Sequence, residues 1–208
     1  MPTVLPFFKF THIATKKRRI EFEKTCVGIM ENLYNHPSVV YYTIFNEGWG
    51  QFDADKYYNM FKSIDGSRIY DTASGWFKPR FSDVDSRHIY FKPVKLKSNG
   101  EEPLFLSEFG GYSYKIKEHS FNLDKTYGYK MFEDKDAFVK AMQDLYLKEI
   151  LPAIENGLCA TVLTQLSDVE DETNGILTYD RKVQKLEISN IKPIFDEIYK
   201  KFYNECEK

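Results

Sequence analysis

Asn35-His36-Pro37-Ser38-Val39-Val40-Tyr41-Tyr42-Thr43-Ile44-Phe45-Asn46-Glu47-Gly48-Trp49-Gly50 is the stretch on which the fold turns. The residue before a proline is pushed out of the α region, so a helix arriving from upstream has to stop at His36. Val39 to Phe45 is then β-branched and aromatic without alternation, the pattern of a strand buried on both faces. Polar, glycine-containing residues follow at once. Asn46 to Gly50 is therefore a loop leaving the C-terminal end of that strand.

Working outward, the same grammar repeats. Upstream, Lys16 to Tyr34 places Phe22, Cys26, Ile29 and Leu33 at a 4-3-4 spacing, one face of a helix. Downstream come a helix over Asp53 to Ile64, a strand over Arg68 to Ala73, the loop Ser74-Gly75-Trp76 and a short strand over His88 to Phe91. Pro103 to Ser107 reads as a buried strand running into Glu108-Phe109-Gly110-Gly111. Phe138, Met142, Leu145 and Tyr146 mark a helix over Lys135 to Asn156, with Gly157 as its C-cap. Cys159 to Leu166 reads as a strand, and Ile191, Ile194, Phe195, Ile198 and Phe202 mark a final helix. A short strand also fits Leu5 to Phe10. Strands alternating with helices predict an α/β fold with a parallel sheet, and 208 residues predict a single domain over 1–208. Ser113 to Asp134 has no period but carries Tyr114, Phe121, Tyr127, Tyr129 and Phe132, and so long a loop is expected to be functional or partner-bound.

Composition removes whole classes of function. With 29 basic and 31 acidic residues the formal charge is -2, which offers no field for nucleic acid or an anionic membrane surface. No apolar run is long enough to span a bilayer, and the N-terminus lacks the basic and apolar regions of a signal peptide, so a cytoplasmic location is expected. Cys26, Cys159 and Cys206 are too far apart for C-x-x-C chemistry and read as reduced, buried thiols. His12, His36, His88 and His119 have no metal-ligand spacing, and no glycine-rich phosphate loop occurs, so neither a metal nor a cofactor is expected. Asp168-Val169-Glu170-Asp171-Glu172 is not a calcium loop, because Gly175 is misplaced for one. It is expected to fix the last strand, with Asp168 or Glu170 bonded to backbone or to Arg181.

Two carboxylates stand at strand ends: Glu47 after Phe45-Asn46, and Glu108 after Leu106-Ser107. In parallel α/β folds that end of the sheet is where sites are built. The plain structural alternative is an N-cap or a salt bridge, and position alone leaves the two readings balanced. Trp49 and Trp76 follow strand ends and offer aromatic faces on which a ligand can stack.

Three motifs in order, Asn35-His36-Pro37-Ser38-Val39 with Phe45-Asn46-Glu47-Gly48-Trp49-Gly50, then Ser107-Glu108-Phe109-Gly110-Gly111, then Thr164 to Arg181, resemble glycoside hydrolase family 2, the β-galactosidase and β-glucuronidase group. The resemblance runs from about Lys16 to the C-terminus. It implies an incomplete (β/α)8 TIM barrel made of about the last five βα units, strands four to eight, with upstream β-sandwich domains and the first barrel strands absent. It implies Glu47 as general acid/base, Glu108 as nucleophile, and Asn46 as a hydrogen-bond partner of the sugar 2-hydroxyl. His88 and Tyr90 fall on the strand where similar proteins place substrate-binding residues, and read equally well as core. Retaining glycosidases hold two such carboxyls roughly 5 Å apart, one attacking the anomeric carbon while the other protonates the leaving oxygen. The implied activity is hydrolysis of terminal β-linked hexosides, β-galactoside-like, by double displacement. The alternatives are an inactive remnant that assembles or binds sugar weakly, and carbohydrate binding without hydrolysis. The expected partners are a carbohydrate and, because the strand Val39 to Phe45 would present an uncovered edge, a second copy or a missing upstream chain.

From Glu47 to Glu108 there are only 61 positions for three strand-to-strand steps. At roughly 30 residues per strand-helix-strand unit, at least one crossover helix has to be abbreviated.

Overall fold

The computed structural model describes residues 14–48 and 50–207. The strand expected at Leu5 to Phe10, His12 and Trp49 lie outside them. The chain divides into two compact units, Met1–Ser86 and Arg87–Lys208.

The first unit opens with α1, Lys16–Leu33. Its N-cap, Thr15, accepts from the backbone N–H of Arg18 at 3.3 Å, satisfying one of the N–H groups that a helix start leaves over. Strand β1, Tyr41–Asn46, pairs in parallel with β2, Ile69–Ser74, and α2, Ala54–Ile64, makes the crossover between them. The core is aromatic. Phe22 of α1 stacks on Phe45 of β1 at 5.1 Å, and both meet Phe52 and Tyr57 edge-on. Arg19 joins α1 to the start of α2 by bonding Asp53, whose left-handed φ of 43° sets the turn into that helix.

Strand β3, Asp85–Ile89, begins in the first unit and continues into the second. There it borders β4, Leu104–Gly110, which pairs in parallel with β7, Leu158–Thr164. Between them in sequence, β5, Tyr112–Tyr114, pairs in parallel with β6, Lys130–Phe132. Helix α3, Lys135–Leu145, is capped by the Asp134 side chain, which accepts from the N–H of Ala137 at 2.8 Å. It then widens into a π turn over Tyr146–Ile150 before α4, Leu151–Ile154. Pro152 explains the widening, since it donates no hydrogen bond and its ring would strike the carbonyl four residues earlier. The turn carries Glu149 to the loop between β3 and β4, where its carboxylate accepts from the N–H of Val94 at 2.6 Å. Helix α5, Ile188–Cys206, closes the unit. Leu104, Leu106 and Phe109 of β4 are buried against Phe138, Met142 and Leu145 of α3 and against Ile191 and Ile194 of α5.

The barrel expected from the resemblance is not present. In a closed barrel every strand has a ladder neighbour on both sides. Among the described residues the strands form three separate sheets, β1-β2, β3-β4-β7 and β5-β6, and only β4 has two neighbours. The observed fold is a small mixed α/β arrangement of parallel ladders. Seven strands occur among the described residues rather than five, because Ser113 to Asp134 hides β5 and β6, each three residues long and too short for a visible period. No helix occurs between Ser74 and Leu104, which accounts for the short spacing noted above.

Three smaller corrections concern burial. Strand β1 is not buried on both faces: with β2 as its ladder partner, it buries Phe45 fully and leaves Thr43 exposed. Helix α1 turns Met30 inward with Phe22 and Cys26, while Ile29 is exposed. Cys159 and Cys206 are exposed and Cys26 is half-buried, so the expectation of three buried thiols fails.

Candidate active site

In the second unit the site grows out of an irregularity in β4. Strict alternation would send Leu104, Leu106 and Glu108 to one face. The ladder with β7 instead shifts register between Leu106 and Phe109: Leu106 lies opposite Thr161 and Phe109 opposite Leu163, so three steps along β4 match two along β7. The extra residue puts Phe109 in the core beside Leu106 and releases Glu108 from it, its side chain 30% exposed. Re-aiming a side chain is what such bulges do beside functional sites. Glu108 therefore lies within the end of β4, not after it as the sequence suggests.

The Glu108 carboxylate gathers two of the expected residues. The Tyr90 hydroxyl donates to Oε2, and His88 Nδ1, on a fully buried side chain, lies 3.4 Å from the same oxygen. Strand β3 delivers both, although it ends at Ile89 and leaves Tyr90 just beyond it. The Tyr90 oxygen also lies 2.9 Å from Thr164 Oγ1, and its ring stacks on Tyr129 at 3.9 Å with 6° between the planes. Burial and then the neighbouring Glu108 push the Tyr90 phenol well above its ordinary range, so it stays protonated and acts as a donor. Thr164 and Tyr129 were not singled out from the sequence. Thr164 ends β7, so the strand-end rule that flags Glu47 and Glu108 could have flagged it. Tyr129 lies in the aperiodic aromatic segment.

Tyr129 is held from both sides. Its N–H donates to the Gly111 carbonyl at 2.9 Å, and the Gly111 N–H donates to the Thr164 carbonyl at 2.9 Å. A Cβ on Gly111, where φ is 63°, would fall 2.3 Å from Tyr129 Cδ2. Next to it, Tyr127 donates its N–H to the Asp171 carbonyl at 2.7 Å and accepts from the N–H of Thr173 at 3.0 Å. The acidic loop is thus a brace for the aromatic segment. Its own anchor is Asp168, which accepts from Lys185 Nζ at 2.6 Å and from the Gly175 N–H at 2.8 Å with both side chains buried. Backbone contact at Asp168 was expected, but its charged partner is Lys185, not Arg181. Burial draws both groups toward their neutral forms, raising Asp168 and lowering Lys185, against the bond between them.

In the first unit the C-terminal end of the β1-β2 pair carries Asn46, Glu47 and Trp76. Ser74 Oγ donates to Asn46 Oδ1, and the Glu47 N–H donates to the Ser74 carbonyl at 2.9 Å. Glu47 takes a left-handed φ of 54°, a conformation that a residue other than glycine adopts only when its surroundings impose it. Gly48 follows at φ 77°, and a Cβ there would fall 2.3 Å from Phe77 Cδ2. The turn is therefore packed under the Phe77 ring. Trp76 is 51% exposed in the loop after β2. Asn46 is exposed, so its amide is bound on one side and open on the other.

Chemically, Glu108 is a carboxylate on a strand end, partly open to solvent and held by a neutral phenol donor, as a nucleophile or a base requires.

No family model matches the chain. No curated protein matches it either. Among solved structures, a β-glucuronidase of an uncultured Clostridium aligns with a TM-score of 0.58 at 14% identity, over 88% of this chain and 36% of its own. A Faecalibacterium prausnitzii β-glucuronidase aligns at 0.54 and 15%, over 86% and 34%. Bacteroides uniformis β-glucuronidase 3 aligns at 0.50 and 13%, over 83% and 27%. The chain thus spans about a third of the length of these enzymes or less, and at such identity the likeness is one of fold.

Proposed function

We propose that this chain carries the reacting carboxylates of a β-glycosidase that cleaves terminal β-linked hexosides with retention, Glu108 as nucleophile and Glu47 as general acid/base. The observation that carries the reading is the treatment of Glu108: β4 spends a register shift to keep it out of the core, and Tyr90 and His88 converge on one of its oxygens. Its carboxylate stays partly open to solvent while a phenol that remains protonated donates to it. The motif order and the likeness of fold to β-glucuronidases support the same reading. Attack by Glu108 on the anomeric carbon would break the bond to the aglycone oxygen while Glu47 protonates that oxygen. Water deprotonated by Glu47 would then release the sugar from Glu108. Asn46 would hold the 2-hydroxyl, and Trp76 would offer an apolar face to a sugar ring. The reading requires both carboxyls to reach one substrate.

The test is a panel of chromogenic β-galactosides and β-glucuronides, together with covalent labelling by a 2-fluoroglycoside read by peptide mass. Turnover that disappears in Glu108→Gln and a label on Glu108 are expected. Turnover that survives the substitution removes the assignment. Glycan affinity by calorimetry without any turnover would favour binding without hydrolysis, and neither affinity nor turnover would favour an inactive remnant.

A further inference from the structure

We propose that Thr164 and Tyr129 are positioning residues for Glu108, acting through Tyr90 to aim a single proton at its carboxylate; the inference rests on Glu108 being the nucleophile. A phenolic O–H lies in the plane of its ring and has two orientations there. Fixing the plane and blocking one orientation therefore fixes the direction of the hydrogen bond. Tyr129 fixes the plane, lying 3.9 Å from the Tyr90 ring and within 6° of parallel to it. Thr164 blocks the second orientation. Tyr90 has one proton, and the charged carboxylate is the stronger acceptor, so the proton goes to Glu108. The 2.9 Å contact with Thr164 must then be a donation from Thr164 Oγ1 to the Tyr90 oxygen. The result is a one-way chain, Thr164 to Tyr90 to Glu108, in which each donation strengthens the next.

Gly111 joins the two positioning residues. Its N–H bonds the Thr164 carbonyl and its carbonyl takes the Tyr129 N–H, both at 2.9 Å. A Cβ on it would lie 2.3 Å from Tyr129 and 3.2 Å from Tyr90. The absence of a side chain at Gly111 is what lets both rings lie against this backbone. As the carboxylate becomes an ester during attack, its charge is lost, and a fixed donor holds the attacking oxygens in line throughout.

The experiment pairs Thr164→Val, which keeps the shape and removes the hydroxyl, with Thr164→Ser, which keeps the hydroxyl and removes a methyl group. A role through the hydroxyl predicts that Thr164→Val lowers kcat about tenfold with KM within about twofold of wild type, whereas Thr164→Ser loses about twofold or less. Tyr129→Leu is expected to behave like Thr164→Val, and Tyr129→Phe like Thr164→Ser. Equal losses in Thr164→Val and Thr164→Ser, or no loss in Thr164→Val, overturn the proposal. A second readout needs no turnover: the NMR resonance of 13Cζ-labelled Tyr90, assigned by its disappearance in Tyr90→Phe. It is expected to move in Glu108→Gln and in Thr164→Val and to stay in place in Thr164→Ser; a resonance unmoved by Glu108→Gln overturns the chain. A protein that hydrolyses nothing while this resonance behaves as expected sinks the nucleophile assignment, and the catalytic sense of the proposal with it. An active protein whose Thr164→Val equals wild type sinks the proposal alone.

Discussion

Glu47 and Glu108 both stand at the C-terminal ends of parallel strands, yet the two units place them by opposite means. Glu47 is set by its own backbone, a left-handed residue after β1 backed by Gly48 and the Phe77 ring. Glu108 has ordinary strand backbone and is set by a register shift and by side chains from β3 and β7. A turn fixes where a carboxyl begins, which on the proposed roles would suit a group that serves as acid in one step and base in the next. A hydrogen-bonded carboxylate in a strand is held at its oxygens, which suits a group that must attack along one line.

The contrast can be broken at several levels. The largest effect is expected from Glu108→Gln, which should cut turnover at least about a thousandfold with the fold intact by circular dichroism; a loss below tenfold would make Glu108 an ordinary polar residue. Next comes the brace. Lys185→Ala strands the buried Asp168 carboxylate and should destabilise the protein by about 3–5 kcal/mol in urea denaturation, and a cost under about 1 kcal/mol would mean that the loop does not depend on this ion pair. Gly48→Ala tests the other side. Strain at a positive φ and the clash with Phe77 should cost roughly 1–3 kcal/mol, and an unchanged melting temperature would show that the Glu47 turn is not backbone-determined.

The smallest effect is a pH dependence in the second unit. His119 Nδ1 at 2.8 Å, with donation from Thr178 and from the Lys182 N–H, holds the Asp180 carboxyl well below the usual carboxylate range. Because the folded value lies below the unfolded one of about 4, the stabilisation is complete above that pH and is lost as the pH falls below it. Asp180→Asn should therefore lower stability slightly at pH 6, and the difference should shrink as the pH falls toward 2. A wild type and variant that differ equally at both values would contradict the assignment.

The sequence carried the helices well because a 3.6-residue period survives packing: α5 lies where its apolar spacing puts it and α2 where a helix was expected, whereas the single helix expected over Lys135 to Asn156 is α3, a π turn and α4 in succession, with Glu155 rather than Gly157 at the C-cap. It missed by one position in α1, where Met30 rather than Ile29 faces the core, because both lie near the edge of the same stripe. Glu108 was legible as a strand-end acid, but the bulge that frees it was not, since an extra residue in a ladder is a relation between β4 and β7 and leaves no mark in either strand. Thr164 and Tyr129 were hidden for the same reason: each matters through what it touches 74 and 39 positions from Tyr90. The barrel failed because it rested on a resemblance of three motifs, and motifs at strand ends do not say which strands share a ladder.

Val94 lies in the helix-free loop between β3 and β4, and its amide is satisfied by Glu149, 55 residues further along the chain. Closing so long a span costs chain entropy, so this one bond ties the loop that follows Tyr90 to the widened turn after α3. Loss of the widened turn should therefore loosen the loop that follows Tyr90, and faster amide exchange at Val94 would report it.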